Sequence, residues 1–589
     1  MPDWYVDSSA AAGGDGSEAT PWDTLANINW GSISAGDAVI LSGTFYETMQ
    51  VGASGSAGTP ITIDCSDALI WPSIEITGWS QVNSSEVYSK ALADGNTFDV
   101  FEDGARLNPE AHYSDSEATI EAALDRGDYT VKQTPNTVYI RCSDGAAPST
   151  HTIRATDRDG ADGATGAIDL NSQDYITLIE PKIKGAYWNS GEPTGIYIDN
   201  ACTGIKVFGG NVSDSAAILH MDGGSNIVID GLTAHNIYQT GIFLEAEGST
   251  LSNVRIRNCY IRDVARVGRY NGVNKNFNMD ADGIGIGGHG GTVTNVYIED
   301  NIFERCGPQY ELDADVPADT SGDVDRGSAI QLSTSNAMDV SGLYIRRNRA
   351  SNCHRNGYYI GNEIEGALEL VGNIAINCGN APEYSVAVFQ VLGTESANAT
   401  TLNINNNTAI SNISRTSLTL AGGDEDDTFN TYNNAFQDND ESIDAAALSW
   451  RGDIWRTNFT TPAADNEDYN LHDTRGDRES SVVYREASTD YTTVAAYNAA
   501  TSRGANTVQS ATLLQSSGRP DGDSPAIGGG TVWWAAGDPP HGEDGLRFCS
   551  PPCMGAYEVR RGKNYSRKAG SLPTRSLEMS HDVMKSRSM

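Results

Sequence analysis

A short strand pattern, in which two apolar residues flank a variable one and Asn closes the segment, recurs along the middle of the chain. Its copies are Val296–Asn301, Leu343–Asn348, Leu368–Asn373, Leu402–Asn407 and, less regularly, Phe429–Asn434. Earlier copies begin at Ile205, Ile227 and Val254, and there Leu232 and Cys259 fill the Asn position. Repeated segments of this kind indicate a solenoid, because a single short strand buries its apolar side only against the next repeat.

A second strand pattern, Gly or Ala followed by alternating apolar residues, is interleaved with the first. Its copies are Gly195–Ile198, Ala217–His220, Gly241–Leu244, Gly283–Ile286, Ala329–Leu332 and Gly357–Ile360. Together the two patterns give a period of about 22 to 27 residues, and stacked coils would lie ~4.8 Å apart. We therefore predict an all-β fold, a right-handed parallel β-helix, in which the Asn side chains form a hydrogen-bonded ladder. A β-sandwich would require hairpin dipeptides and antiparallel spacing, which the sequence lacks.

The period divides the chain into four regions. Residues 1–160 lack it and are predicted to form an N-terminal capping region, with a short helix near Thr119–Leu124. Residues 161–444 carry the β-helix and its catalytic groove, and residues 445–561 form a C-terminal capping region. The last segment, 562–589, has six Lys or Arg against two acidic residues and is expected to be flexible or to serve assembly.

Charge and hydropathy narrow the classes of partner. The 589 residues include 78 Asp and Glu against 39 Lys and Arg, a net charge of −39. A protein this acidic repels phosphate backbones, so nucleic acid is not expected as a partner. The sequence contains no apolar run of about 18 residues, so we expect no transmembrane helix and no membrane partner. The N-terminus has neither a basic segment nor an apolar one, so Sec export is not expected.

Both ends of the chain resemble pectate-lyase-like right-handed parallel β-helix proteins. The resemblance covers about residues 3–560. At the N-terminal end it is carried by Trp4–Asp7, Asp15–Gly16, Pro21–Trp22, Gly36–Asp37, Ser56–Ile61, Trp79, Val87–Tyr88 and Asn136–Arg141. At the C-terminal end it is carried by Ser524–Ile527, Asp544–Arg547 and Met554–Glu558. Such proteins include polysaccharide lyases, glycoside hydrolases, epimerases and phage tailspike depolymerases.

Within that superfamily the chain looks most like a phage tailspike-type exopolysaccharide depolymerase. The resemblance implies a location in the virion tail or the extracellular space, attachment to the virion through the basic tail, and a possible homotrimer. It also implies that the substrate is an extracellular, anionic bacterial exopolysaccharide. No coiled-coil heptad is present that would enforce a trimer.

Two neighbouring coils carry insertions where chemistry could concentrate. The distance from a first-pattern strand to the next Gly-type strand is 14 residues from Ile227 to Gly241. It is 29 residues from Val254 to Gly283 and 33 from Val296 to Ala329. The insertions combine aromatic, acidic and basic residues, a composition that suits the binding of sugars.

Alternation along the Gly-type strands directs Tyr197, Asp199, Phe243, Glu245, Gln331 and Tyr359 outward. The predicted substrate-binding residues, on these strands and insertions, are Tyr197, Arg269, Tyr270, Lys275, His289, Tyr310, Arg326, Tyr359 and Glu363.

The catalytic hypothesis is glycosidic hydrolysis, which uses one protonated and one ionised carboxyl group. Glu245 with Asp280 or Asp282 is predicted to supply the pair. An Asp before Gly is also a common turn residue, which is the structural alternative for Asp280 and Asp282. The runner-up reaction is β-elimination on uronic acids by a lyase, with Arg266, Arg269, Tyr270, Lys275 or His289 as base or charge neutraliser. A third possibility is a non-catalytic glycan-binding adhesin or receptor-binding protein.

No cofactor is expected, although Ca²⁺ could bind the acidic run from Asp313 to Asp325 through oxygen ligands. Cysteines number nine, an odd count. Cys259, Cys306, Cys353 and Cys378 fall at solenoid spacing and predict a buried stack of thiols rather than disulfides. No zinc signature is complete and no phosphate-binding loop is present. We interpret His220, His235 and His354 as structural.

Overall fold

The computed structural model describes residues 2–92, 99–110, 115–133, 136–156, 165–186, 194–246, 248–264, 281–287, 290–307, 327–332, 339–361, 364–379, 387–392, 400–410, 416–421, 428–437, 452–457, 464–472, 484–486 and 489–509. All of them belong to one compact unit, Met1–Glu558. Within these ranges, neither helix has the length and apolar character needed to cross a bilayer.

The repeating strands stack into parallel sheets, which confirms the predicted all-β parallel β-helix. Each complete coil has three faces. Face A contains strands such as Gly224–Asp230, face B follows with strands such as Thr233–Ile237, and face C closes the coil with strands such as Ile242–Glu245. Each strand pairs in parallel with its equivalent in the next coil: Ile229 lies opposite Ile256, and Ile256 opposite Ile298. Their apolar side chains fill the interior and are fully buried.

Faces A and B belong to one continuous sheet. Its described strands are Asp3–Asp7, Ala38–Phe45, Ile61–Ile70, Ile176–Ile179, Lys182–Lys184, Lys206–Phe208, Asn211–Ser215, Gly224–Asp230, Thr233–Ile237, Thr250–Arg257, Tyr260–Val264, Thr292–Glu299, Ile302–Cys306, Asp339–Arg346, Arg349–Ser351, Ile364–Val371, Ile374–Ile376, Thr400–Asn405, Thr408–Ile410, Thr428–Tyr432, Ala435–Gln437, Ala464–Asp468, Leu471–His472 and Val508–Gln509.

Face C forms a second sheet. Its described strands are Met49–Gln50, Gly166–Asp169, Thr194–Ile198, Ala217–Asp222, Ile242–Glu245, Ile284–Gly287, Ile330–Leu332, Tyr358–Ile360, Ala387–Leu392, Thr416–Ala421, Gly452–Thr457, Tyr484–Glu486 and Thr489–Tyr491. Neighbouring strands pair in parallel, except that Thr489–Tyr491 pairs antiparallel with Tyr484–Glu486. A helix, Val494–Thr501, follows this sheet, and its N-terminus is capped by the Thr493 hydroxyl.

The predicted asparagine ladder is present at the bend between faces A and B. The side-chain amide of Asn301 donates to Asn348 Oδ1 at 3.0 Å, and Asn348 donates to Asn373 Oδ1 at 3.1 Å. Asn373, Asn407 and Asn434 continue the ladder in the same way, and it extends to Asn470, which the repeat did not mark. The ladder works because each buried amide finds both a donor and an acceptor in neighbouring coils.

The prediction of buried thiols rather than disulfides is confirmed. Cys353 contacts Cys306 and Cys378, whereas Cys259 lies at the ladder position, where its backbone N–H donates to Asn301 Oδ1. Cys259, Cys306, Cys353 and Cys378 are buried and carry no disulfide. Burial raises the pKa of the Cys259 thiol to about 12, so these side chains behave as small apolar groups.

The stacking extends beyond the region in which the sequence period is regular. Strands Asp3–Asp7, Ala38–Phe45 and Ile61–Ile70 already belong to the sheet of faces A and B. Gly452–Thr457 and Ala464–Asp468 continue the stack past residue 444. Coils at both ends therefore lie inside the regions that the sequence assigns to caps, because varied loops between them hide the repeat.

Residues 72–156 form an insertion subdomain between two coils. One sheet contains Ser80–Gln81, Val87–Ala91, Asn108–Pro109, Asp128–Gln133 and Asn136–Arg141, and a second contains Ser73–Glu75, Val100–Glu102, Ala105–Arg106 and Ile153–Thr156. The predicted helix is present as Glu117–Ala123, with Ser116 accepting from the Thr119 backbone N–H as its N-cap. Two 3₁₀ turns, Trp30–Ser32 and Pro148–Thr150, complete the elements of the chain's N-terminal part.

Candidate functional site

The outer surface of face C brings polar and aromatic side chains into rows. Parallel pairing aligns Asp169 with Tyr197, Tyr197 with His220 and His220 with Phe243. A strand exposes every second residue on one side, so the neighbouring row lies two residues further along. In that row Asp222 lies opposite Glu245, and Glu245 lies opposite Gly287. These two rows define the candidate site.

Three carboxylates occupy successive coils of the second row. Asp199 follows Ile198, which pairs with Met221, and Asp222 follows Met221. Asp222 pairs in turn with Glu245. All three side chains are half-buried. Because neighbouring coils lie ~4.8 Å apart, Asp222 and Glu245 are about one coil spacing apart, and Asp199 and Glu245 about two.

His220 anchors the acidic row. Its Nε2 shares a hydrogen bond of 3.0 Å with Glu245 Oε2, and the ring is buried. It contacts Tyr197 on one side and Phe243 on the other, with ring centroids 5.6 Å and 5.3 Å away. This packing fixes the orientation of the imidazole and therefore that of the Glu245 carboxylate.

Tyr197 is held in its neutral form by its surroundings. Burial raises the pKa of Tyr197 above its usual range, and the charges of Asp222, Asp199 and Asp169 raise it further. Its hydroxyl donates to Asp222 Oδ2 over a long 3.5 Å. The phenol can therefore donate a hydrogen bond within the site, whereas loss of its proton at neutral pH is strongly disfavoured.

A gap in the side-chain rows lies beside these carboxylates. Gly285 and Gly287 follow Phe243 and Glu245 in their rows, so the coil that contains them presents no side chain there. A methyl group at Gly285 would come within 3.1 Å of both Phe243 and Thr240. Phe243 and Thr240 therefore fill the space beside Gly285, whereas Gly287 leaves the row of Glu245 without a side chain on the next coil.

Beyond the gap, the first row continues with Gln331, Tyr359 and Gln390. Tyr359, a predicted binding residue, is half-buried, and the Arg355 guanidinium lies 4.9 Å from the centre of its ring. An aromatic ring with an arginine beside it is a suitable contact for a sugar that carries an acidic group.

The structure does not bring Asp282 together with Glu245. Asp282 lies two residues before Ile284, which pairs with Ile242, whereas Glu245 pairs with Gly287. The two acids are therefore displaced by five residues along adjacent strands, roughly 16 Å. Asp282 is fully buried, and its Oδ1 accepts the backbone N–H groups of Gly327 and Ser328 at 3.1 Å and 2.7 Å. These bonds tie Asp282 to the backbone of the next coil rather than to a local turn.

The other predicted site residues lie outside the described part of the chain. They are Asp280, Arg269, Tyr270, Lys275, His289, Tyr310, Arg326 and Glu363, together with the acidic run from Asp313 to Asp325. The residue pattern did not select His220 or Asp222 as candidate site residues. Their signal was the alignment of Ala217–Asp222 with Gly241–Glu245, which places His220 level with Phe243 and Asp222 level with Glu245.

No protein-family model and no curated protein sequence matches the chain. Solved structures show a distant likeness. A glycoside hydrolase has a TM-score of 0.47 and 12% identity, over 76% of this chain and 98% of its own. XylC, solved with xylose, has a TM-score of 0.44 and 12% identity, over 82% of this chain and 86% of its own. Pectate lyase Pel9A has a TM-score of 0.41 and 13% identity, over 95% of this chain and 96% of its own. At these values the likeness assigns no activity to this chain.

Proposed function

We propose that this protein is a polysaccharide depolymerase that hydrolyses glycosidic bonds with Asp222 and Glu245 as its carboxyl pair. The observation that supports the proposal is the pairing of these two acids on adjacent coils, beside a gap in the side-chain rows. A retaining glycosidase holds its two carboxyl groups about 5–5.5 Å apart, close to one coil spacing.

The surroundings of the two acids suggest their separate roles. Glu245, oriented by His220 at 3.0 Å, is placed to act as the ionised nucleophile. Asp222, beside the Tyr197 hydroxyl, would protonate the leaving oxygen and then activate water. With this pair the product would retain the anomeric configuration of the substrate. Use of Asp199 with Glu245 would instead give inversion, because two coil spacings leave room for a water molecule.

The substrate is proposed to be an extracellular, anionic polysaccharide that lies along face C. The rows of this face run from coil to coil, so successive sugars of one chain could contact successive coils. Tyr359 with Arg355 lies beyond the gap and could hold an acidic substituent. The cleaved bond would then lie at the acidic end of the two rows, and a charged group of the polymer would lie beside Tyr359 and Arg355.

A lyase mechanism is the second candidate, because Tyr197 and His220 are neighbours on face C and both residue types serve lyases as proton-transfer groups. The acidic row disfavours it at this position. A uronic carboxylate there would be repelled by Asp199, Asp222 and Glu245, and Tyr197 is held protonated.

A virion-tail or extracellular location and a homotrimer stay predictions.

The test uses a panel of purified acidic bacterial and algal polysaccharides, followed by reducing ends and ultraviolet absorbance together. We expect reducing ends without absorbance, and a loss of about 10²-fold or more in kcat for Glu245→Gln and Asp222→Asn. Asp230→Asn is the matched control, because Asp230 lies on face A in a salt bridge with Arg257, and it should keep activity. Ultraviolet-absorbing products would identify a lyase, and full activity in both acid variants would refute the proposed pair.

A further inference from the structure

Three potential metal ligands converge in the insertion subdomain, outside the strands of face C. They are the Glu102 carboxylate, the Cys142 thiol and the His151 imidazole. One ligand atom from each lies within 4.8 Å of the other two. Among the residues that the structure describes, this is the one group of three or more His, Cys, Asp and Glu side chains that converges so closely.

The spacing of the donor atoms fits a tetrahedral ion. His151 Nδ1 lies 3.2 Å from Glu102 Oε1. Zinc binds nitrogen at about 2.0–2.1 Å and carboxylate oxygen at about 2.0–2.2 Å, so tetrahedral geometry places two such ligands about 3.4 Å apart. Nδ1 and Oε1 therefore already have nearly the separation of two ligands of one ion, and the Cys142 thiol lies within 4.8 Å of both. A donor set of thiolate, imidazole and carboxylate also binds Zn²⁺ in preference to Ca²⁺ or Mg²⁺, which take oxygen ligands.

Neighbouring groups already orient these ligands. The Ser143 backbone N–H and hydroxyl donate to the two oxygens of Glu102, at 2.9 Å and 3.1 Å. Such supporting hydrogen bonds are typical around metal ligands. Asp103 Oδ2 lies 2.7 Å from His151 Nδ1, and its Oδ1 accepts the Thr152 backbone N–H at 2.8 Å, so Asp103 would exchange its bond to His151 for a fourth ligand position.

The charge of the cluster also favours a cation. Glu102, Asp103 and Asp144 all lie within 3.3 Å of the His151 ring nitrogens. Three carboxylates around one imidazole leave the cluster negative even when the imidazole is protonated. Glu102 is nearly fully buried, so its charge is poorly screened by solvent.

We propose that Glu102, Cys142 and His151, with Asp103 as the fourth ligand, bind one Zn²⁺ ion that stabilises the insertion subdomain. The ligands come from the end of strand Val100–Glu102, from the residue after strand Asn136–Arg141 and from the segment before strand Ile153–Thr156. The ion would thus join the two sheets of the subdomain. This proposal is independent of the carboxyl pair on face C.

Cobalt substitution of the purified full-length chain tests the site. We expect one Co²⁺ per chain and a thiolate-to-cobalt charge-transfer band that Zn²⁺ abolishes by displacement. Cys142→Ser should remove the band. Cys202→Ser is the matched control, because Cys202 is a buried solenoid thiol, and it should keep the band.

A second variant keeps the test decisive if Cys142→Ser does not fold. His151→Gln alters a side chain that is 13% exposed and should weaken Co²⁺ binding by at least 10²-fold with an unchanged circular dichroism spectrum. Zn²⁺ should raise the thermal midpoint of the wild-type chain and not that of this variant. Absence of a charge-transfer band in the wild type, or a band that both variants retain, would overturn the proposal.

Discussion

At the residue scale, the same side chain takes opposite roles according to its position on a coil. Asp222 and Asp282 both lie at face C. Asp222 lies at the end of a strand, on the outer surface and opposite Glu245. Asp282 lies before a strand and binds two backbone N–H groups in the interior. Sequence alternation identified Glu245 as outward-facing, but alternation alone did not single out Asp222, because its place opposite Glu245 follows from the register between coils.

His354 gives a prediction at this scale. Burial lowers the pKa of His354 to about 4, whereas an unfolded chain binds the proton near 6.5. Between these values the unfolded state holds more protons, so the contribution to stability is complete above pH 6.5 and is lost as the pH falls towards 4. We expect a loss of about 3 kcal/mol in the free energy of unfolding over this window, measured by denaturant titration.

The substitution His354→Asn should remove that part of the pH dependence. His235→Asn, at a half-buried histidine of face B, is the control and should keep it. If the stability of the His354→Asn chain changes with pH between 7 and 4 as that of the wild type does, folding does not lower the pKa of His354 and the prediction is wrong.

At the element scale, the coil is held at its bend by the asparagine ladder. Asn348 accepts from the backbone N–H and the side chain of Asn301, and it donates to Ile298 O and Asn373 Oδ1. This element was predictable from the sequence because one Asn recurs at a fixed place in each repeat. The zinc site was not, because its ligands lie far apart in the sequence and meet only through antiparallel pairing, which leaves no period.

Replacement of Asn348 by Ala should destabilise the solenoid strongly. The change leaves the Asn301 backbone N–H and the Ile298 carbonyl without these partners, whereas Asn373 Oδ1 keeps the backbone N–H of residue 348. Each orphaned group costs about 1–3 kcal/mol. We expect a loss of about 3 kcal/mol or more, seen as a lower thermal midpoint. Asn403→Ala removes one half-buried amide ladder contact on face A and should cost about 1 kcal/mol or less. Equal losses in both variants would refute a special role for the buried ladder.

At the scale of the whole molecule, the parallel stack converts a local repeat into a long surface with fixed spacing. Every coil adds one rung to face C, so aligned residues form rows without any loop to position them. The repeat was enough to predict the fold and the outward set Tyr197, Asp199 and Glu245. The insertions were expected to supply much of the site, yet the described rows already unite a carboxyl pair, an imidazole and a gap.

The net charge of −39 acts on the whole molecule and on any anionic polymer that approaches it. At low salt the protein and the polymer repel each other over long distances. At about 0.1 M salt the Debye length falls to about 10 Å, so distant repulsion is screened while contacts within the groove persist. We therefore expect kcat/KM on an anionic polysaccharide to rise from very low salt to moderate ionic strength, mainly through a lower KM. A neutral substrate, or the same polysaccharide with its carboxyl groups reduced, should show no such rise. A steady fall in activity from zero salt upward would mean that local attraction, such as that of Arg355, outweighs the repulsion of the molecule as a whole.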